Sequence, residues 1–400
     1  MTPFFTSLLV VTAVAAHLQA PLTGVVFIDR NANAVRDAGE RGVPMVAVSN
    51  QVAVVRTDAT GRYVLPDAGL GVVYVSMPRA HRPAGAWWKR AVANQALDFG
   101  LVPSPEAVPF TFVHASDPHV AAANVNRLRR MVGLVDSIAP SLLLLTGDLV
   151  RDALRVGEVE ASGYYRLFQE ETRALRRPLF TVPGNHEIFG VERDKSGVHA
   201  SHPLYGRAMY RSVRGPDYYA FDAGGVHFVA LNTIDVDDQS YYGHVDSLQM
   251  AWLANDLALV PDSVPVVTFN HIPMYSVQEQ MTGYSDEPPA PTLITVRGRT
   301  QFRHSVSNFP EIAAAMGRHR WEIALAGHVH HRESLALQLA DRVMRFHQAA
   351  AVTGNASKAG LLLPSGVTLY TVRDGRVDDG RFVPIGIVDE RPPAAPVPPR

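Results

Sequence analysis

Residues 141–148 read SLLLLTGD, four consecutive leucines that stop in a Thr-Gly-Asp turn. An apolar run this short reads as a strand buried on both faces, and it ends on a carboxylate. The same construction recurs along the chain. FTFVHAS (110–116) runs into Asp117-Pro118-His119, and PLFTVPGN (178–185) ends in Gly184-Asn185-His186-Glu187. VPVVTFNH (264–271) ends in Asn270-His271, and WEIALAGH (321–328) ends in Gly327-His328-Val329-His330. A sixth run, VHFVALNT (226–233), has no such ending.

Helical patterns separate these runs. In Asn124–Ala139, Val125, Leu128, Met131 or Val132, Val135 and Ile138 recur every three to four residues. Asp246–Val260 does the same with Leu248, Trp252, Leu253 and Leu257. Alternating strand and helix predicts a layered α/β domain. After His331, the segments GLLLP, GVTLYTVRDGRV and RFVPIGIV read as strands that would extend the sheets at their edges.

In such sheets ligands bind beyond the carboxyl ends of the strands, where five of the six runs carry residues able to bind metal. The DxH and HxH spacings let a turning backbone point both side chains at one centre. Glycines before Asp148, Asn185 and His328 permit tight turns and close backbone approach. A single Gly-Asp is usually a turn former, and a lone buried histidine is usually a hydrogen-bonded core residue. Five fragments in order, each closing a separate buried strand, are not explained as turns.

The ordered set DxH, GD, GNHE, H and GHxH resembles the calcineurin-like metallophosphoesterase superfamily over about residues 110–335. The resemblance implies an α/β core made of a two-layer β-sandwich flanked by helices, with two metal ions bridged by one carboxylate. Asp117, His119 and His330 would hold the first ion, Asn185, His271 and His328 the second, and Asp148 both. The ligands are oxygen and nitrogen, which suits divalent Mn, Fe, Zn or Ni. The implied reaction is phosphoester hydrolysis by in-line attack of a hydroxide bridging the metals. His186 would be the acid toward the leaving oxygen, the blander role being to orient Asn185. The family's purple acid phosphatase branch places an iron-binding tyrosine three residues after the bridging Asp. Here that position is Arg151, which argues against that branch and against obligatory ferric iron.

His114 and Glu187 are candidates for orienting ligands. The insertions at 188–217 and 276–308 follow ligand motifs and are expected to overhang the metals. They carry Arg193, His199, His202, Arg207, Arg303 and His304, with Arg207, Arg303 and His304 the leading substrate-binding candidates.

Ahead of this domain, residues 21–101 alternate short β-rich runs with Gly, Asn and Asp turns, the pattern of a small antiparallel all-β sandwich. Asp29, Asn31, Asn33, Asp37 and Glu40 fall at positions 1, 3, 5, 9 and 12 of a calcium-loop spacing, with Ala34 in place of the usual glycine. The module resembles those ahead of some bacterial secreted metallophosphoesterases and the calcium-binding B-type repeats of surface adhesins. A Pro-rich linker is expected at 102–109, the second domain at 110–390 and a disordered Pro-rich tail at 391–400. The apolar run Leu8–Ala16 predicts a signal peptide at 1–20, and with it a secreted or periplasmic enzyme.

Composition agrees. The 400 residues hold 37 Lys and Arg against 38 Asp and Glu, with 16 histidines and no cysteine. Disulfides and thiolate metal sites are excluded, and the near-zero charge disfavours long nucleic acid as partner. Small-molecule, lipid and protein phosphoesters remain as substrates. A rival reading is a cell-surface adhesion protein whose calcium-binding β-module is the working part, beside a vestigial phosphoesterase domain.

Overall fold

The computed structural model describes residues 20–386 apart from 93, 286–290 and 341. All but the last residue of the expected leader, and the whole Pro-rich tail, lie outside the described residues. No helix among the described residues is long and apolar enough to cross a membrane.

Strand Leu142–Thr146 lies between Phe110–Ala115 and Leu179–Val182 and pairs in parallel with both. Its leucines alternate between two cores. Leu142 and Leu144 join the cluster between the sheets, while Leu143 and Leu145 join the one beneath helices Val125–Ile138 and Glu158–Thr172. This two-sided burial is why residues 142–145 include no polar side chain.

The first sheet has the order Leu179–Val182, Leu142–Thr146, Phe110–Ala115, Gly366–Arg373, Arg376–Val377, with Arg381–Pro384 also on Gly366–Arg373. The second runs Tyr219–Ala223, Val226–Ala230, Pro265–Phe269, Arg320–Ala326, Val343–Gln348, Glu333–Gln338. Aromatic rings join the two layers: Phe180 stacks on Phe221 at 3.9 Å between centroids, and Phe112 meets Phe228 edge-on at 5.4 Å. All six strands expected from the apolar runs form.

Parallel neighbours need crossovers, and the helices supply them. Val125–Ile138 lies within the predicted bounds, flanked by Asn124 and Ala139. Ser247–Leu257 starts at the cap residue Asp246, whose side chain accepts from the Gln249 amide. Its buried face differs from expectation at one position. Leu248 is exposed and Gln249 is buried, because the Gln249 amide side chain bonds the Asn232 N–H at 2.9 Å and its carbonyl at 2.8 Å.

The segments after His331 depart further from expectation. Gly366–Arg373 is an interior strand, antiparallel to Phe110–Ala115, with Arg381–Pro384 on its other side. Leu361–Leu363 pairs with Ala356–Lys358 in a separate two-stranded hairpin, its leucines largely exposed. The hairpin Glu333–Gln338 and Val343–Gln348 instead completes the second sheet.

The N-terminal module is a sandwich of two four-stranded sheets. It is not wholly antiparallel: Leu22–Ile28 pairs in parallel with Phe99–Pro103, the long excursion between them serving as the crossover. That last strand takes up the first residues of the expected linker. The module's core is continuous with the inter-sheet core, Trp87 lying 4.8 Å from Tyr219 and 6.1 Å from Phe180 between ring centroids. Gln51 Nε2 donates across the junction to Asp217 Oδ1 at 2.9 Å and to the Tyr218 carbonyl at 3.0 Å.

Asp29, Asn31, Asn33, Asp37 and Glu40 do form one loop, with Ala34 in the left-handed region at φ 63°. Its carboxylates turn to donors inside the loop. Asp29 accepts from the Asn33 and Ala34 amides, Glu40 from the Arg30 and Asp37 amides, and Asp37 from the Asn31 and Asn33 side chains. Among the described residues, the groups of three or more acidic or His side chains gathered closely enough for one ion lie in the second domain, not here.

Buried His227 bridges Asp222 Oδ1 at 2.7 Å and Asp256 Oδ2 at 2.9 Å, tying strand to helix. Burial pushes this imidazole down, but Asp256 and Asp222 outweigh it and hold it at about 10. A pKa raised on folding contributes stability fully below the ordinary value of 6.5, and that contribution is lost as pH rises through about 10. His227→Gln is therefore expected to destabilise by about 3 kcal/mol at pH 6. Denaturant titrations of both proteins from pH 6 to 10 should show the gap shrinking; a constant gap would contradict the ion-pair account.

Candidate metal centre

Parallel pairing within each sheet sends the carboxyl ends of the ligand-bearing strands to one edge of the sandwich. There Asp117, His119, Asp148, His328 and His330 all have positive φ, between 42° and 68°. A non-glycine residue in this region costs about 1 kcal/mol or more, so the surroundings must hold it there. They do so by mutual bonding. The Asp117 amide donates to the Gly147 carbonyl at 3.1 Å, the His119 amide to the Asp148 carbonyl at 2.9 Å, and the His328 amide to Asp117 Oδ2 at 3.1 Å. Gly184 has no room for a side chain: a Cβ there would lie 2.2 Å from Asp148 Oδ1.

The donor atoms form two groups that share Asp148: Asp117, His119, Asp148 and His330, then Asp148, His271 and His328. Asp148 Oδ2 lies 3.4 Å from His119 Nε2 and 3.3 Å from His271 Nε2. Within the first group His119 Nε2 and His330 Nε2 are 3.1 Å apart; within the second, His271 Nε2 is 3.2 Å from both His328 Nδ1 and Asn185 Oδ1. Metal–nitrogen bonds of about 2.1 Å give ligand–ligand edges of roughly 3.0–3.4 Å, so these spacings fit divalent ions. Asp117 Oδ1 is buried with no hydrogen-bond donor, as expected of an oxygen reserved for a cation.

Electrostatics favour the same use. Burial acts to raise the Asp148 carboxyl, but His271, His186 and His119 outweigh it and hold it well below the usual carboxylate range. Burial pushes His119 down to about 3, leaving a neutral imidazole. His271 is also pushed down by burial, but Asp148 holds it at about 9, so an ion bound there would displace a proton. Its Nδ1 donates to the Thr146 carbonyl at 2.7 Å, which points Nε2 into the centre.

His186 joins the site without joining either donor group. Its Nδ1 donates to the Arg151 carbonyl at 2.7 Å, and its Nε2 lies 3.9 Å from Asp148 Oδ2. Its backbone N–H donates to Asp148 Oδ1 at 3.0 Å. Glu187 is buried and ties two ligand loops together, accepting from the Gly184 amide at 2.6 Å and the Val150 amide at 3.0 Å. Burial, then the Asp148 charge, raise its carboxyl to about 8. His114 is one step removed: its Nε2 bonds the Thr146 hydroxyl at 2.9 Å.

The insertions behave differently from one another. In the first, Arg207 pairs with Asp246 at 2.8 Å and Asp235 at 3.4 Å, away from the cleft lining. Arg193 bonds Asp238, His199 bonds Ser201 and His202 bonds Glu158. Arg193 and His202 hold the insertion to the body of the domain, while the His199 contact stays within the insertion. The second insertion does reach the centre. His304 Nδ1 lies 2.8 Å from His328 Nε2, so His304 backs a candidate donor, and buried Arg303 places its guanidinium 4.3 Å over the Tyr241 ring. Tyr241, Asp152, Arg155 and Thr353 line the cleft without having been singled out in the sequence. Only Asp152 and Arg155 lay near a motif, four and seven residues beyond Asp148.

Fold and site together define an α/β sandwich protein with a centre suited to two metal ions. The chain belongs to the calcineurin-like phosphoesterase family, whose model matches residues 110–332. It is 30% identical to purple acid phosphatase 23 of Arabidopsis thaliana over 164 residues, 40% of this chain and 29% of that protein. It is 27% identical to acid phosphatase type 7 of Mus musculus over 209 residues, 47% of this chain and 40% of that one. The chain therefore spans less than half the length of either relative in these matches. A dimetal phosphatase from Danio rerio superposes with a TM-score of 0.45 and 15% identity, covering 70% of this chain and 100% of that one. Two of the matched relatives are named purple acid phosphatases, although Arg151 departs from the pattern that the resemblance implies for that branch.

Proposed function

We propose that this chain hydrolyses phosphoesters, monoesters foremost, with two divalent cations in the centre. The observation that carries the reading is the pair of donor groups sharing Asp148, with His186 Nε2 beside them and uncommitted to either. Asp117, His119 and His330 would hold one ion, Asn185, His271 and His328 the other, and Asp148 both. The oxygen and nitrogen donors suit Mn, Fe, Zn or Ni. When bound, such a pair supplies Lewis-acid charge to the phosphoryl oxygens and lowers the pKa of water toward neutrality.

The chain's own residues do the rest. The bond from His186 Nδ1 to the Arg151 carbonyl fixes the ring, so Nε2 is the atom that carries a proton to the leaving oxygen. The cleft, about 390 Å³, suits a small phosphoester better than a polymer. Monoesters are favoured because both relatives described above are named as acid phosphatases. Export is part of the proposal and rests on the apolar run Leu8–Ala16.

The test is chelation, restoration with each metal in turn, and comparison of p-nitrophenyl phosphate with bis(p-nitrophenyl) phosphate. Metal-dependent hydrolysis favouring the monoester is the expected result. Preference for the diester would correct the substrate class, and no turnover of either with any metal would overturn the reading.

A further inference from the structure

Of the two arginines among the described residues that line the metal cleft, one is uncommitted. Arg155 is neutralised between Asp152 at 3.1 Å and Glu192 at 2.8 Å. Asp152 Oδ1 also accepts the Leu154 and Arg155 amides and lies 3.9 Å from His186 Nδ1, so both carboxylates beside Arg155 are already engaged. Arg151 lines the same cleft and is exposed, and its guanidinium makes no hydrogen bond or ion pair to any described residue. Its backbone is held on both sides. The amide donates to the Val120 carbonyl at 3.0 Å, and the carbonyl accepts from His186 Nδ1 at 2.7 Å.

That second bond gives Arg151 a direction within the reaction. If His186 delivers a proton to the leaving oxygen, the residue that carries the His186 ring stands on the leaving-group side. Arg151 and His186 line the same cleft, so the Arg151 fork is placed to meet a group carried by the departing alcohol. A guanidinium without a protein carboxylate is matched by a carboxylate or phosphate on the ligand, which it can engage with two parallel bonds.

From this placement we infer that Arg151 is a specificity-determining residue that selects phosphoesters whose leaving group carries its own anion. The inference rests on the phosphoesterase reading above. It names a substrate class, an anionic alcohol esterified to phosphate, in preference to neutral or aminated alcohols of the same size.

Three small substrates test it: phosphoglycolate, ethyl phosphate and phosphoethanolamine, whose leaving groups share a two-carbon unit and differ in charge. The non-hydrolysable analogues 3-phosphonopropionate, propylphosphonate and 3-aminopropylphosphonate allow the same comparison by calorimetry on the metal-loaded protein. Wild type is expected to rank the anionic member first in kcat/KM and in affinity, by about tenfold over the neutral one, as one charge-assisted contact provides. Arg151→Gln should collapse that ratio toward one in both measurements, and Arg151→Lys should keep part of it. An unchanged ratio in Arg151→Gln overturns the assignment while leaving the phosphoesterase reading intact. Failure of the wild type to turn over any of the three substrates or the p-nitrophenyl esters overturns the reading itself, and the assignment with it.

Discussion

Asp148→Ala is expected to lose bound metal and hydrolysis together, with turnover falling by about 10³-fold or more. One carboxylate oxygen lies 3.4 Å from His119 and 3.3 Å from His271, the nearest members of the two donor groups. Removing it takes a ligand from both ions at once, and with it the negative charge that sets the neighbouring imidazoles. The other oxygen accepts the His186 amide, so the proposed acid would be displaced as well. Asp148→Asn separates these effects. It keeps an acceptor for that amide and removes the charge, and is expected to be nearly as poor in metal as the alanine variant. Metal analysis of the purified proteins beside the phosphatase assay decides the matter; full turnover by metal-replete Asp148→Ala would refute the shared-ligand assignment.

His186→Gln is expected to show the second largest effect and a different signature. Metal content should stay at the wild-type level, because His186 belongs to neither donor group. Loss of a positioned general acid lowers kcat by about 10²–10⁴-fold. The size of the loss should depend on the leaving group. An alkoxide needs the proton and p-nitrophenolate scarcely does, so ethyl phosphate should suffer far more than p-nitrophenyl phosphate. Equal losses on both substrates accompanied by loss of metal would move His186 into a structural role.

Much of the centre was legible because each ligand motif is written locally, at the end of a buried apolar run. SLLLLTGD needs only its own residues to declare a strand and a turn, and the same holds for the runs ending at Asn185, His271 and His328. Helix Glu158–Thr172 escaped notice for the opposite reason. Its buried positions are Ala161, Tyr165, Phe168 and Thr172, a small and partly polar stripe with little apolar contrast. The hairpin 333–348 was hidden by buried polar residues such as His347 and Gln348, which only their tertiary partners explain. Arg207 and His304 show the limit most clearly. Both are basic residues in insertions that follow ligand motifs, yet one is bound to Asp246 and the other backs His328.

By itself the sequence determined the donor chemistry and its placement. Without cysteine a metal centre here draws on oxygen and nitrogen donors and not on thiolate, and the candidate donors follow strands, since strand-end turns are where a buried run can release a polar side chain. The tertiary structure decided which donors meet. His119 and His330 stand 211 residues apart in the chain and 3.1 Å apart in space, brought together by parallel pairing in two sheets and by the stacking of one sheet on the other. It also decided that Arg151 remains uncommitted while Arg155 does not. Whether an arginine finds a carboxylate depends on distances that no local pattern encodes.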